Sequence, residues 1–174
     1  GNVLYWLTYP KIEGVAVSAS ICFCWFAVAR TQLRALLLGG IIAAVFAGAL
    51  GQILQSVIAS SPKPLFDPVL NLRAPSAIGD IIALRADTLH NMDTFPSPRA
   101  AMFLGIALAV WLVHRRIGAF VVLIAVIPEL ARVFIGLHYP TDIVGSFLLA
   151  APFVWLTHTS AVANVVRLFI LVEE

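Results

Sequence analysis

The sequence predicts an all-α, polytopic transmembrane helical bundle of about five crossings, forming one domain over residues 1–174. Three observations predict it. The 174-residue chain is 61% hydrophobic and 11% charged, with a mean hydropathy of +0.98, whereas a water-soluble domain is about 25% charged. A bilayer core of about 30 Å asks roughly 20 mostly apolar residues of a spanning helix, and five stretches qualify. Strict polar–apolar alternation, the mark of an outer-membrane β-barrel, is absent.

In chain order, Gly1 to Pro10 holds Tyr5, Trp6 and Tyr9, aromatic residues suited to a membrane interface. No basic segment followed by an apolar core and a small-residue cleavage site opens the chain, so no signal peptide is expected. The first crossing is read from about Gly14 to Ala29 and the second from about Leu33 to Ala59. The second carries two ladders of small residues, Gly40–Ala44–Gly48 and Ala43–Ala47–Gly51, which let neighbouring helices approach closely. The segment from about 60 to 96 is the only long loop. It opens with prolines that stop the helix, and Ile78, Ile81, Ile82, Leu84, Arg85 and Leu89 then suggest a short amphipathic helix on the membrane surface. Such a loop suits guarding the lateral access of a lipid. The third crossing runs from about Ser97 to Val113, the fourth from Ile117 to Leu137, and the fifth from about Thr141 to Thr157. The tail from Ser160 to Glu174 reads as a surface helix rather than a sixth crossing.

Charge and cysteine usage exclude other classes. The net charge of +2 is too small and dispersed to suggest nucleic acid as a partner. Cys22 and Cys24, spaced Cys-Phe-Cys in an apolar run, fit neither a disulfide framework nor a zinc site. No cluster has metal-ligand spacing, so no metal or other cofactor is expected. Arg30, Arg34, Arg115 and Arg116 fall in two very short loops on one side, which the positive-inside rule places in the cytoplasm. Trp25, Trp111 and Trp155 then lie toward the cytoplasmic helix ends.

The polar residues with chemical potential lie toward the other, external face. Lys63 follows the second crossing, Ser97 and Arg99 open the third, Arg132 is near the end of the fourth, and His138 and Asp142 flank the turn into the fifth. Ionisable groups near membrane helix ends are costly unless paired or hydrated, so their gathering points to a site. The segment Ala-Arg-Val-Phe-Ile-Gly-Leu-His-Tyr-Pro-Thr-Asp contains R-x5-H-x3-D. His138 and Asp142, four apart, share a face in a helical first turn. A carboxylate on one imidazole nitrogen fixes the tautomer and leaves the other as nucleophile or base. Arg132 offers a planar fork of donors for phosphate oxygens. The plainer alternative is a structural Arg–Asp pair beside an interfacial histidine. Glu129, after Pro128, reads as a paired carboxylate in a proline-kinked helix.

This segment resembles the third signature of the type-2 phosphatidic acid phosphatase superfamily, S-R-x5-H-x3-D, with Ala131 in place of its serine. The second signature, P-S-G-H, is matched by Pro96 and Ser97, while Pro98 and Arg99 replace its glycine and histidine. Of the first, K-x6-R-P, Lys63-Pro64 occupies the R-P place and Ser56 stands where the lysine belongs. The resemblance covers the crossings from about Leu33 to Thr157, with one N-terminal crossing fewer than is common in that family. It implies a vanadium-haloperoxidase-like helical core and a lipid phosphatase or phosphotransferase. His138 would form a phosphohistidine, oriented by Asp142, with Arg132, Ser97 and Lys63 binding phosphate oxygens. The second-signature histidine normally protonates the leaving oxygen, and Arg99 stands there.

Arginine stays protonated and is a poor general acid near neutrality. A lipid alkoxide leaving group needs a proton, whereas a lipid phosphate leaving from a pyrophosphate hardly does. The expectation is therefore an enzyme favouring polyprenyl pyrophosphate, with His90 as a candidate alternative acid. A catalytically silent pseudo-phosphatase that binds lipid phosphate or scaffolds a membrane partner is the alternative. A transporter finds no broken-helix repeat in the sequence. The expected location is the bacterial inner membrane, with the site on the periplasmic face.

Overall fold

The computed structural model describes residues 10–58, 62–70, 72 and 94–159. Among them the chain is all-helical, with no strand. Helix α1 spans Pro10–Ala27, α2 Thr31–Val57, α3 Pro98–Val113, α4 Arg115–Phe134 and α5 Pro140–Thr157, and a single 3-10 turn covers Pro64–Phe66. The opening aromatic residues, the amphipathic stretch of the long loop, His90 and the tail helix fall outside the described residues.

Helices α2, α4 and α5 are long and apolar enough to cross a membrane, while the apolar runs Ile12–Ala27 and Pro98–Val113 are shorter. At 1.5 Å per residue the 16-residue α3 reaches about 24 Å, less than a typical hydrocarbon core.

The helix starts follow from local chemistry. Proline at the first position of α3 and of α5 lacks only an N–H that would have no partner there. Ser97 caps α3, its hydroxyl accepting from Ala100 N–H at 3.3 Å. His114 caps α4 through Nδ1, which accepts from Ile117 N–H at 3.3 Å. The fourth helix stops at Phe134, short of the expected Leu137, because Gly136 turns left-handed at φ +78°. Leu137 N–H then bonds Arg132 C=O at 2.9 Å and Gly136 N–H bonds Val133 C=O at 3.0 Å, a Schellman closure.

Successive helices run up and down. Helices α2, α3 and α5 form the tightest seam, and small residues make it so. A Cβ added to Gly40 would meet that of Ala109 at 2.6 Å, and one on Gly105 would meet that of Ala44 at 2.8 Å. The ladder Gly40–Ala44–Gly48, with Ala47 and Gly51, is the buried face of α2. Dispersion between closely spaced backbones holds such seams, since lipid supplies no hydrophobic drive between helices. The α3–α4 hairpin is as close: a Cβ on Gly118 would overlap the Trp111 backbone. Gly118→Ala is expected to destabilise by the upper end of about 1–3 kcal/mol, because neither backbone can give way. Thermal unfolding in detergent checks this, and an unchanged midpoint would refute it. Helix α1 packs chiefly against α4 and lightly against α3. An open apolar groove of about 580 Å³ between α1 and α4, lined by Ala16, Phe23 and Phe120, ends at Arg116, away from the polar end described next.

Candidate functional site

The start of α1, the end of α2, the start of α3, the end of α4 and the start of α5 meet at one end of the bundle. Glu13 of α1 reaches Arg132 of α4, Gly51 of α2 abuts Pro98 of α3, and Ser97 bonds Ser146 of α5. The segment between α2 and α3 joins them, with Leu65 N–H donating to Gly136 C=O at 2.9 Å. Gly136 is required twice here. Its positive φ closes α4, and a Cβ would crowd Leu65 at 3.3 Å.

The turn carries His138 out of α4 and delivers the chain to Pro140, placing Asp142 in the first turn of α5. Asp142 Oδ2 accepts from the Tyr139 backbone N–H at 2.8 Å and lies 3.4 Å from His138 Nδ1. That spacing is within ion-pair reach but long for a hydrogen bond, and among the described residues Nδ1 makes no hydrogen bond. The carboxylate is thus already oriented by the helix start, with the imidazole beside it. His138 sits just before the helix rather than in its first turn, so proximity comes from the turn geometry. Asp142 is buried, whereas the His138 side chain keeps 15% exposure.

Ser97 belongs to the same group. Its N–H donates to Ser146 Oγ at 2.8 Å, and the Ser146 hydroxyl donates to Asp142 C=O at 2.5 Å, which ties α3 to α5. Tyr139 donates its phenol proton to Asp67 Oδ2 at 3.0 Å. Desolvation and the Asp67 carboxylate hold that phenol above its ordinary pKa, so it remains a donor through the neutral range. Lys63 is buried immediately before the 3-10 turn.

Arg132 forms a second group. One guanidinium nitrogen bonds Glu129 Oε1 one turn earlier and another bonds Glu13 Oε2 at 2.6 Å. All three side chains are buried. Arg99 lies within Coulombic range of Glu13, Glu129 and Arg132. Arg132 is therefore paired with Glu13 and Glu129 rather than with Asp142. Glu13 Oε1 and Glu129 Oε2 are buried without a hydrogen-bond partner among the described residues. The two groups are joined through the backbone of the Arg132–Asp142 turn.

Glu13, Ser146 and Tyr139 are polar residues of this end that the sequence reading did not single out. A carboxylate in the first turn of an otherwise apolar helix was the available signal for Glu13. His114 and His158 lie at the opposite end, His158 against Gly40 and Thr157. Among the described residues no three His, Cys, Asp or Glu side chains come together as a metal site would require. No family model, curated protein or solved structure matches the chain.

Proposed function

We propose that the protein is a membrane lipid phosphatase or phosphotransferase of the type-2 phosphatidic acid phosphatase kind, favouring a lipid pyrophosphate such as a polyprenyl pyrophosphate. The observation that carries this is the placement of His138 beside a buried, backbone-oriented Asp142, at the bundle end that also holds Ser97, Lys63, Arg99 and Arg132. A nucleophilic imidazole needs one nitrogen facing an orienting carboxylate and the other free to attack. In this reading Nε2 of His138 attacks phosphorus, the P–O bond to the leaving group breaks, and water later cleaves the phosphohistidine. Cationic groups stabilise charge on the transferring phosphoryl. No step needs a metal or cofactor. All five helices cross the membrane in this reading, with the site on the periplasmic face of a bacterial inner membrane and the arginine-rich loops in the cytoplasm.

One observation favours the second reading, a silent lipid-phosphate-binding protein: two carboxylates already occupy Arg132. Phosphate release decides between them. Purified protein is expected to release phosphate from a lipid pyrophosphate much faster than from a lipid monophosphate, and His138→Ala is expected to abolish both. Release independent of His138, or none from either lipid, would end the enzymatic reading. A preference for the monophosphate would refute the leaving-group argument.

A further inference from the structure

We propose that binding of a phosphate-type dianion at Arg132 is coupled to uptake of a proton by the Glu13–Glu129 carboxylate pair. The inference rests on the reading of Arg132 as a phosphate ligand and adds a control that the three signature segments do not contain, since Glu13 comes from α1.

The charge count motivates it. Glu13, Glu129 and Arg132 are buried together, and the half-buried Arg99 lies within Coulombic range of all three. Two carboxylates and two guanidinium cations balance among these four side chains. A dianion brought to Arg132 leaves an excess of two negative charges on this group, three of whose members, Glu13, Glu129 and Arg132, are almost fully withdrawn from solvent, where unbalanced charge is most costly. One proton, taken from water, halves that excess and weakens the hold of one carboxylate on the guanidinium. The geometry provides the place for it. Glu13 and Glu129 each spend one oxygen on Arg132 and keep the other, Oε1 and Oε2 respectively, buried and without a partner among the described residues. A lone oxygen of this kind is a ready proton acceptor.

Among the described residues, α2 and α5 place no further charge against Arg132. The sole charged residue of α2 is Arg34, in its first turn at the far end. Asp142, at the start of α5, is oriented by Tyr139 N–H and faces His138. Among the described residues, this end also holds Asp67 and Tyr139, which bond each other, and the buried Lys63.

Sulfate is a suitable probe because it stays a dianion across the neutral range. Titration calorimetry of the purified full chain in two buffers of different ionisation enthalpy reads proton uptake directly. The expected result is uptake of about one proton per sulfate and a Kd that tightens by about tenfold for each pH unit lowered. Glu13→Gln is expected to bind sulfate at pH 8 as tightly as the wild type does at acid pH, with a flattened pH dependence. His138→Ala is expected to keep the coupling. Several outcomes overturn the proposal: sulfate affinity independent of pH and buffer, weaker binding by Glu13→Gln at every pH, or loss of coupling in His138→Ala, which would assign the proton to the imidazole. If Glu13→Gln does not fold, wild-type proton uptake still decides. Phosphate release from lipid pyrophosphate alongside pH-independent sulfate binding would sink the coupling and leave the enzymatic reading standing. No sulfate binding at any pH would sink the coupling and remove Arg132 as an anion ligand.

Discussion

Arg132→Ala is expected to destabilise the folded protein by about 3–5 kcal/mol, the range found when one partner of a buried ion pair is removed. The loss here is the desolvated charge left behind rather than the attraction given up. Glu13 and Glu129 face each other's side of one guanidinium, and both are buried. Without it two carboxylates would remain in a low-dielectric environment, with the half-buried Arg99 still within Coulombic range. The triple variant Glu13→Gln, Glu129→Gln, Arg132→Met removes the charges together and is expected to recover most of the stability, since apolar replacement of buried ion groups is often neutral or better. Thermal unfolding in detergent at fixed pH measures both. A mild effect of Arg132→Ala, or a triple variant no more stable than the single one, would show that the three side chains do not act as a closed group.

Arg99→His is expected to raise turnover of a lipid monophosphate by about 10²–10⁴-fold, the usual contribution of a general acid, with little change for a lipid pyrophosphate. The two substrates differ in the leaving oxygen. An alkoxide must be protonated as it departs, and a guanidinium holds its proton too firmly to give it. A departing phosphate needs only charge stabilisation, which under the proposed function Arg99, in the first turn of α3, would supply. Steady-state phosphate release from both lipids tests this. An equal gain on both substrates would indicate that Arg99 obstructs binding rather than lacking a proton, and no gain on either would remove position 99 from the chemistry.

What could be read from the sequence divides by the range of the interactions. The five helices were legible because burial in lipid needs long apolar runs, and each observed helix overlaps its expected stretch. The His138–Asp142 juxtaposition was legible for a similar reason, since four residues and a proline-initiated helix keep two side chains near each other whatever the rest does. The helix stop at Phe134 was missed because Gly136 lies inside an apolar run, and only its left-handed backbone reveals a turn. The partners of Arg132 divide in the same way. Glu129 is one turn away and was read as a paired carboxylate. Glu13 is 119 residues away. It lies just before the first expected crossing at Gly14, where a carboxylate reads as the edge of the membrane segment. The helix in fact begins at Pro10, and Glu13 is carried into the bundle because a cation waits there.

The placement of α1 has a consequence for the whole assembly. It leans on α4 and barely touches the small-residue seam of α2, α3 and α5, yet it contributes half of the negative charge around Arg132. Mechanical integrity and electrostatic tuning are thereby assigned to different parts of the molecule. Loosening the first helix, by lipid composition or by a partner that competes for its face, would withdraw one of the two carboxylates paired with Arg132 while sparing the contacts among the other four helices. Such a protein can be adjusted from its periphery without being unfolded.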